Sequence, residues 1–145
     1  MEKLKIAVAS DHAGFVRKQA VMKYLREQGI EFRDFGAFSA ESSDYPDFAH
    51  PLAEAVSKGE FNEGITFCGS GNGINMTANK HQGIRSAICW LPEIAELARK
   101  HNDANVCALP ARYITDDEAI EIVKIFLTTD FEGGRHVNRI NKIPV

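Results

Sequence analysis

The sequence predicts an α/β protein whose parallel sheet is covered by helices on both faces. Two observations carry this. Short apolar runs alternate with stretches of helical periodicity from one end of the chain to the other. In the middle, residues 65–80 read as a buried strand, a glycine-rich loop and the start of a helix. No repeat, low-complexity tract or linker interrupts the pattern, and 145 residues suit one domain over residues 1–145 with a substantial core.

Leu4 to Ala9 reads as the first strand, and Ser10-Asp11-His12-Ala13-Gly14 as the polar turn at its end. A helix follows with Val21, Tyr24 and Leu25 at i, i+3, i+4, closed by Gly29. Ile30 to Phe35 alternates apolar and charged residues, as an edge strand with one wetter face does. A polar loop from Ser39 to Asp47 carries Asp44-Tyr45-Pro46, and the second helix sets Ala49, Leu52, Ala53 and Val56 on one face. Gly64 to Phe67 is the third strand, with a helix from Ile74. Arg85 to Trp90 is the fourth strand; Pro92 opens a helix with Ile94, Leu97 and Ala98 on one face, ending near His101-Asn102-Asp103. Asn105 to Leu109 is the fifth strand. Thr115 and Glu118 form a capping box ahead of the stripe Ala119, Ile122, Val123, Phe126, Leu127. The tail from Asp130 to Val145 is too polar for the core and is expected to cross a surface or reach a partner subunit.

Composition narrows the function classes. A net charge of -3 argues against a nucleic-acid partner held by a broad basic surface. No apolar run approaches membrane-spanning length, and the N-terminus is too short before its first strand for a signal peptide. The three cysteines, Cys68, Cys89 and Cys107, are odd in number and form no C-x-x-C pair, which favours free thiols in a reducing cytoplasm.

The chemistry concentrates after the third strand. Cys68 sits where that strand should end, followed by Gly69, Ser70, Gly71, Asn72 and Gly73. Three glycines in five residues allow a sharp turn and a close approach of backbone N–H groups to an anion, with a helix N-terminus beneath. The segment is neither a Walker A loop nor a dinucleotide fingerprint. Ligands of open α/β sheets bind at the carboxyl ends of the strands, so Asp11-His12 and the Cys68 loop should be neighbours if strands one and three flank the switch point. Cys89 and Cys107 lie within apolar strands and read as core. The histidines show no metal-ligand spacing, but His12, His101 and His136 each lie beside polar residues at element ends. Arg135 and Arg139, at i, i+4, would share a helix face suited to phosphate. Together these residues fit proton abstraction beside a carbonyl of a phosphorylated substrate. A cysteine phosphatase would need arginine where Ile74 stands. A non-catalytic sugar-phosphate sensor is the remaining alternative.

Ser10-Asp11-His12-Ala13-Gly14, Asp44-Tyr45-Pro46, Cys68-Gly-Ser-Gly-Asn-Gly, Ala78-Asn79-Lys80, Gly83-Ile84-Arg85, His101 to Val106 and Gly133-Gly134-Arg135-His136 occur in that order over almost the whole chain. In this the sequence resembles the type B ribose-5-phosphate isomerase family, with its allose-6-phosphate and galactose-6-phosphate relatives. The resemblance implies a Rossmann-like α/β/α sandwich with a five-stranded parallel sheet. It implies a homodimer, sometimes paired into a tetramer, whose sites are shared across the interface, and aldose–ketose isomerisation through an enediolate without metal or other cofactor. By position it implies Cys68 as the base, and Ser70 with the N–H groups of Gly69, Gly71, Asn72 and Gly73 around the enediolate oxygen. His101 would assist ring opening, Asp11 and Asn102 would orient sugar oxygens, and Tyr45 would line the pocket. His12, Arg112, Arg135 and Arg139 would hold the phosphate, with His136 close by. Some relatives lack the cysteine and carry glutamate at the position of Ile74; this chain is of the cysteine type. Relatives often carry threonine where Ser70 stands, a change that keeps the hydroxyl.

Overall fold

The computed structural model describes residues 3–145. Its elements in chain order are β1 (Lys5–Ser10), α1 (Phe15–Glu27), β2 (Glu31–Asp34), α2 (Pro46–Ser57), β3 (Glu63–Cys68), α3 (Asn72–Ala78), β4 (Ser86–Ile88), α4 (Pro92–Asn102), β5 (Val106–Pro110), a 3-10 turn (Ala111–Tyr113), α5 (Asp116–Thr128) and α6 (His136–Ile140). The five strands form one sheet in the order β2-β1-β3-β5-β4, all parallel.

Side chains alternate across the central strands and are apolar on both faces, which is why those strands lack a polar period. Ile6, Val8, Ile65, Phe67, Cys107 and Leu109 pack with Val21 and Leu25 of α1, Ala95 and Ala98 of α4, and Ile122 and Phe126 of α5. On the opposite face Ala7, Ala9 and Val106 meet Leu52, Ala53 and Val56 of α2. Cys68 and Ala108 meet Ala49 and Ile74 at the end where α3 begins. Each large side chain buried this way contributes about 1.5–3 kcal/mol of apolar transfer free energy. The expected α5 stripe is buried in full, and its capping box is present, with Thr115 Oγ1 accepting from Glu118 N–H and Glu118 Oε1 from Thr115 N–H.

Four elements depart from the sequence reading. The helix after the glycine loop begins at Asn72 rather than Ile74, because Gly71 at φ 81° turns the chain directly into it. β4 spans three residues rather than the six from Arg85 to Trp90. Backbone bonds run on to Arg85 C=O and Cys89 N–H, and side chains tie the amino end: Asn79 accepts from Ser86 N–H and donates to Ser86 C=O, while Asn105 accepts from Arg85 N–H and donates to Gly83 C=O. On α4 the buried face is Ala95 and Ala98, and Leu97 is 36% exposed. Ala95 lies three residues from Ala98, as Ile94 lies three from Leu97, so spacing alone could not choose the face. The tail carries a short helix, α6, and is not wholly external, since His136 is buried.

Candidate functional site

The chain leaves β1 for the β2 side of the sheet and returns as β3 on the other side of β1, so β1 and β3 flank the reversal. Ser10 pairs with Phe67 in register, which brings the β1–α1 turn and the Cys68 loop side by side as expected. A cavity of about 400 Å³ opens there, lined by Asp11, His12, Ala13, Tyr45, Cys68, Gly69, Ser70, Gly73, Arg112 and Tyr113.

Each lining group is set by local structure. Asp11 donates its N–H to Phe67 C=O and accepts Gly14 N–H on Oδ1 at 3.0 Å, closing the turn. Gly14 is required because a Cβ there would lie 2.5 Å from the Phe67 backbone oxygen. Cys68 is the last residue of β3, buried at 4% exposure beside this turn. Arg112 donates its backbone N–H to Gly69 C=O, and its guanidinium lies across Gly69 where a side chain would otherwise project. Ser70 Oγ accepts Asn72 N–H at 3.2 Å, so that N–H is satisfied within the loop while the Ser70 hydroxyl hydrogen remains a donor. Asn72 lines a neighbouring cavity with Ile88 and Trp90 rather than the Cys68 cavity. Tyr45 precedes α2 and rests on Gly73.

The remaining expected site residues form a second group. α4 starts beyond the carboxyl end of β4 and runs back, so His101 and Asn102 lie at the amino edge of the sheet, where Asn102 C=O accepts from Arg85 Nε just ahead of β4. Within one chain that is the opposite edge from Cys68. The His101 and His136 rings stack at 4.3 Å with planes 15° apart. Arg135 and Arg139 flank His136, both exposed. Burial, with positive charge from His101 and Arg135, holds the His136 imidazole below the ordinary histidine range. Glu132 Oε1 lies 3.8 Å from His136 Nε2, and His101, Glu132 and His136 bring three potential ligand atoms within 4.8 Å. Near-parallel stacked rings do not aim their nitrogens at one point, and the arginines favour an anion over a metal ion there.

Sequence reasoning missed three contributors. Ser43 contacts His12 from the middle of a polar loop with no motif of its own. Tyr113 lines the cavity one residue after Arg112. Lys18 is fully buried and donates to Asp34 Oδ1 at 2.7 Å and Ala37 C=O at 2.5 Å, fixing the start of that loop. Its signal was present: Lys18 leads the series Lys18, Val21, Met22, Leu25 at i, i+3, i+4, i+7.

A sequence profile described as ribose/galactose isomerase matches residues 6–143. The ribose-5-phosphate isomerase B of Escherichia coli K12 is 44% identical over 139 residues, covering 96% of this chain and 93% of that protein. The crystal structure of a ribose 5-phosphate isomerase from Thermotoga maritima superposes with a TM-score of 0.96 at 48% identity, covering 98% of each chain. The ribose-5-phosphate isomerase B of Mycoplasma genitalium, solved with bound ribulose-5-phosphate, gives 0.93 at 41% identity, covering 99% of this chain and 95% of that one.

Proposed function

The chain belongs to the ribose/galactose isomerase family, and from that premise we propose that residues 1–145 act as one sugar-phosphate isomerase domain interconverting D-ribose 5-phosphate and D-ribulose 5-phosphate. The observation that carries the reading is the relative with bound ribulose-5-phosphate, whose fold this chain matches over nearly its full length. The cavity chemistry supports it from below.

In the aldose, the C2 hydrogen is acidified by the C1 carbonyl. The Cys68 thiolate takes that proton, and the C2–H electrons form the C1–C2 double bond as charge moves onto the C1 oxygen. Ser70 and the N–H groups of Gly69, Gly71 and Gly73 are the donors offered to the enediolate; each such donor is typically worth about 3 kcal/mol. Cys68 then returns its proton to C1 while the C2 hydroxyl proton passes to the C1 oxygen, so that C1 becomes the alcohol and the C2–O electrons form the ketone. Asp11 and Tyr45 orient the sugar, and His12 and Arg112 hold the phosphate, which fixes the reacting carbons against the thiolate.

His101 assists opening of the furanose ring, Asn102 helps Asp11 to orient the sugar oxygens, and Arg135, Arg139 and His136 add to the phosphate site. Their separation from Cys68 within one chain supports a homodimer in which each site takes Cys68 from one copy and His101 from the other. A cytoplasmic location is supported by three unpaired cysteines and by the lack, among the described residues, of a helix long and apolar enough to cross a membrane.

The test is isomerisation of ribose 5-phosphate by purified protein, with Cys68→Ala and allose 6-phosphate run alongside. Strong activity lost in the variant supports both the reaction and the base. Activity surviving the substitution removes Cys68 as the required base. Preference for the six-carbon sugar moves the assignment to an allose-6-phosphate or galactose-6-phosphate isomerase. Phosphate binding without turnover makes the chain a sugar-phosphate-binding protein.

A further inference from the structure

We propose that Ser43 is a positioning residue that holds His12 as an Nε2–H donor toward a phosphate monoester in the Cys68 cavity, an inference that rests on the sugar-phosphate reading of that cavity. Ser43 and His12 come from different loops, 31 residues apart, yet meet at three points. Ser43 Oγ accepts the His12 backbone N–H at 3.1 Å. The Ser43 backbone N–H and C=O both lie 3.2 Å from His12 Nδ1.

The pair of backbone groups decides the tautomer. A neutral imidazole carries one N–H and one lone pair. If Nδ1 held the hydrogen it would donate to Ser43 C=O, and the Ser43 N–H, half-buried, would lose its acceptor. If Nε2 holds the hydrogen, Ser43 N–H donates to Nδ1 and only a carbonyl goes without. Buried carbonyls tolerate that better than buried N–H groups. The neutral ring therefore places its hydrogen on Nε2, the nitrogen that Ser43 leaves free in a residue lining the cavity. On protonation the new Nδ1–H donates to Ser43 C=O at the same distance, and the Ser43 N–H gives up its acceptor, so the contact favours the neutral ring. Nε2 is a donor in both charge states. A phosphate, which offers only acceptors at neutral pH, needs that constancy.

Ser43 can do this because its loop is held at both ends. Near its start, Ser10 N–H donates to Gly36 C=O and Ala37 N–H to Ser10 C=O, both at 2.6 Å. The buried Lys18 ammonium ties Asp34 to Ala37 across the same segment. At the far end, Tyr45 leads into α2 and is seated on Gly73.

The experiment is long-range proton–nitrogen correlation NMR on the full-length protein with labelled histidine, before and after titration with inorganic phosphate. His12 is expected in the Nε2–H tautomer, with Nε2 shifting on phosphate addition. Ser43→Pro, which removes the N–H donor, is expected to lose the tautomer preference. It should raise the KM for ribose 5-phosphate about tenfold, the loss of one charge-assisted hydrogen bond, with kcat changed little. Ser43→Gly keeps the peptide group and should keep the tautomer. An Nδ1–H tautomer in the unaltered protein overturns the proposal, and needs no variant to fold. So does Ser43→Pro with tautomer and KM unchanged. An Nε2–H tautomer in a protein inactive on every sugar phosphate supports the clamp while removing the isomerase reading.

Discussion

Tyr45 lies so close over Gly73 that a Cβ on the glycine would fall 2.3 Å from the ring's Cζ and 2.7 Å from its hydroxyl oxygen. The first turn of α3 thus sets how far Tyr45 reaches across the cavity. Gly73→Ala is expected to push the ring aside by at least an ångström, a displacement of the size that can cost on the order of a hundredfold in turnover when it misplaces a substrate. Gly73 has no positive φ, so the backbone tolerates alanine and folding should be largely kept. Steady-state kinetics beside a thermal melt checks this; unchanged kcat and KM would mean that Tyr45 does not position the sugar.

Glu63 opens β3 at the edge of the sheet away from Cys68, with its side chain 12% exposed and Oε1 3.6 Å from Arg99 Nε. Burial raises its pKa to about 7, Arg99 opposes that rise, and Asp103 adds to it. Oε2 has no hydrogen-bond partner. The folded protein thus holds this proton to about neutral pH, while the unfolded chain releases it in the ordinary carboxylate range. Between those values the folded state binds more protons, so its stability falls as pH rises. The total loss is on the order of 3 kcal/mol. Urea midpoints at about pH 5 and about pH 8 should show the fall, and Glu63→Gln should flatten it. An equal slope in the variant would assign it to other groups.

The buried Lys18 ammonium makes a different stability prediction. Burial lowers its pKa, while the hydrogen bond and charge of Asp34 raise it, and the contact at 2.7 Å keeps the two together. Lys18→Met leaves Asp34 without its cation, keeping only the Gly36 N–H, and Ala37 C=O without its donor. Breaking a buried pair from one side typically costs about 3–5 kcal/mol. Because Asp34 remains 23% exposed on its side chain, the lower end of that range is expected here. Denaturant unfolding of Lys18→Met measures it; a change below about 1 kcal/mol would mean that the loop is held by its backbone bonds alone.

Most of the fold was readable because its signals are local. Thr115, Glu118 and the α5 stripe specify their helix without help, and alternating runs and helices imply the parallel sheet. What escaped depends on distant partners. The amino end of β4 is tied by Asn79 and Asn105, both outside it, whose side chains bond Ser86, Arg85 and Gly83, and no count of apolar residues shows that. The first half of the site was legible for the same reason as the fold: Asp11, His12 and Cys68 stand at strand ends that topology must bring together. Ser43 was not, since a serine in a polar loop acquires meaning only from the histidine it meets. His101 and Asn102 were legible as chemistry but not as geometry, because a helix that runs back along the sheet carries its last turn away from the cavity.

That separation gives the sharpest test of the proposed dimer. If each site takes Cys68 from one copy and His101 from the other, Cys68→Ala and His101→Ala homodimers are both crippled. A mixed dimer has one site with both substitutions and one site with neither. Dissociating and re-pairing equal amounts of the two variants should then restore activity. Random pairing makes half of the dimers mixed, each with one intact site of two, so about a quarter of wild-type turnover is expected. Sites built wholly within one chain would give no restoration, because every site would still carry one substitution. A mixture no more active than its two components would therefore remove the shared site and require His101 to act other than by opening the sugar bound beside Cys68.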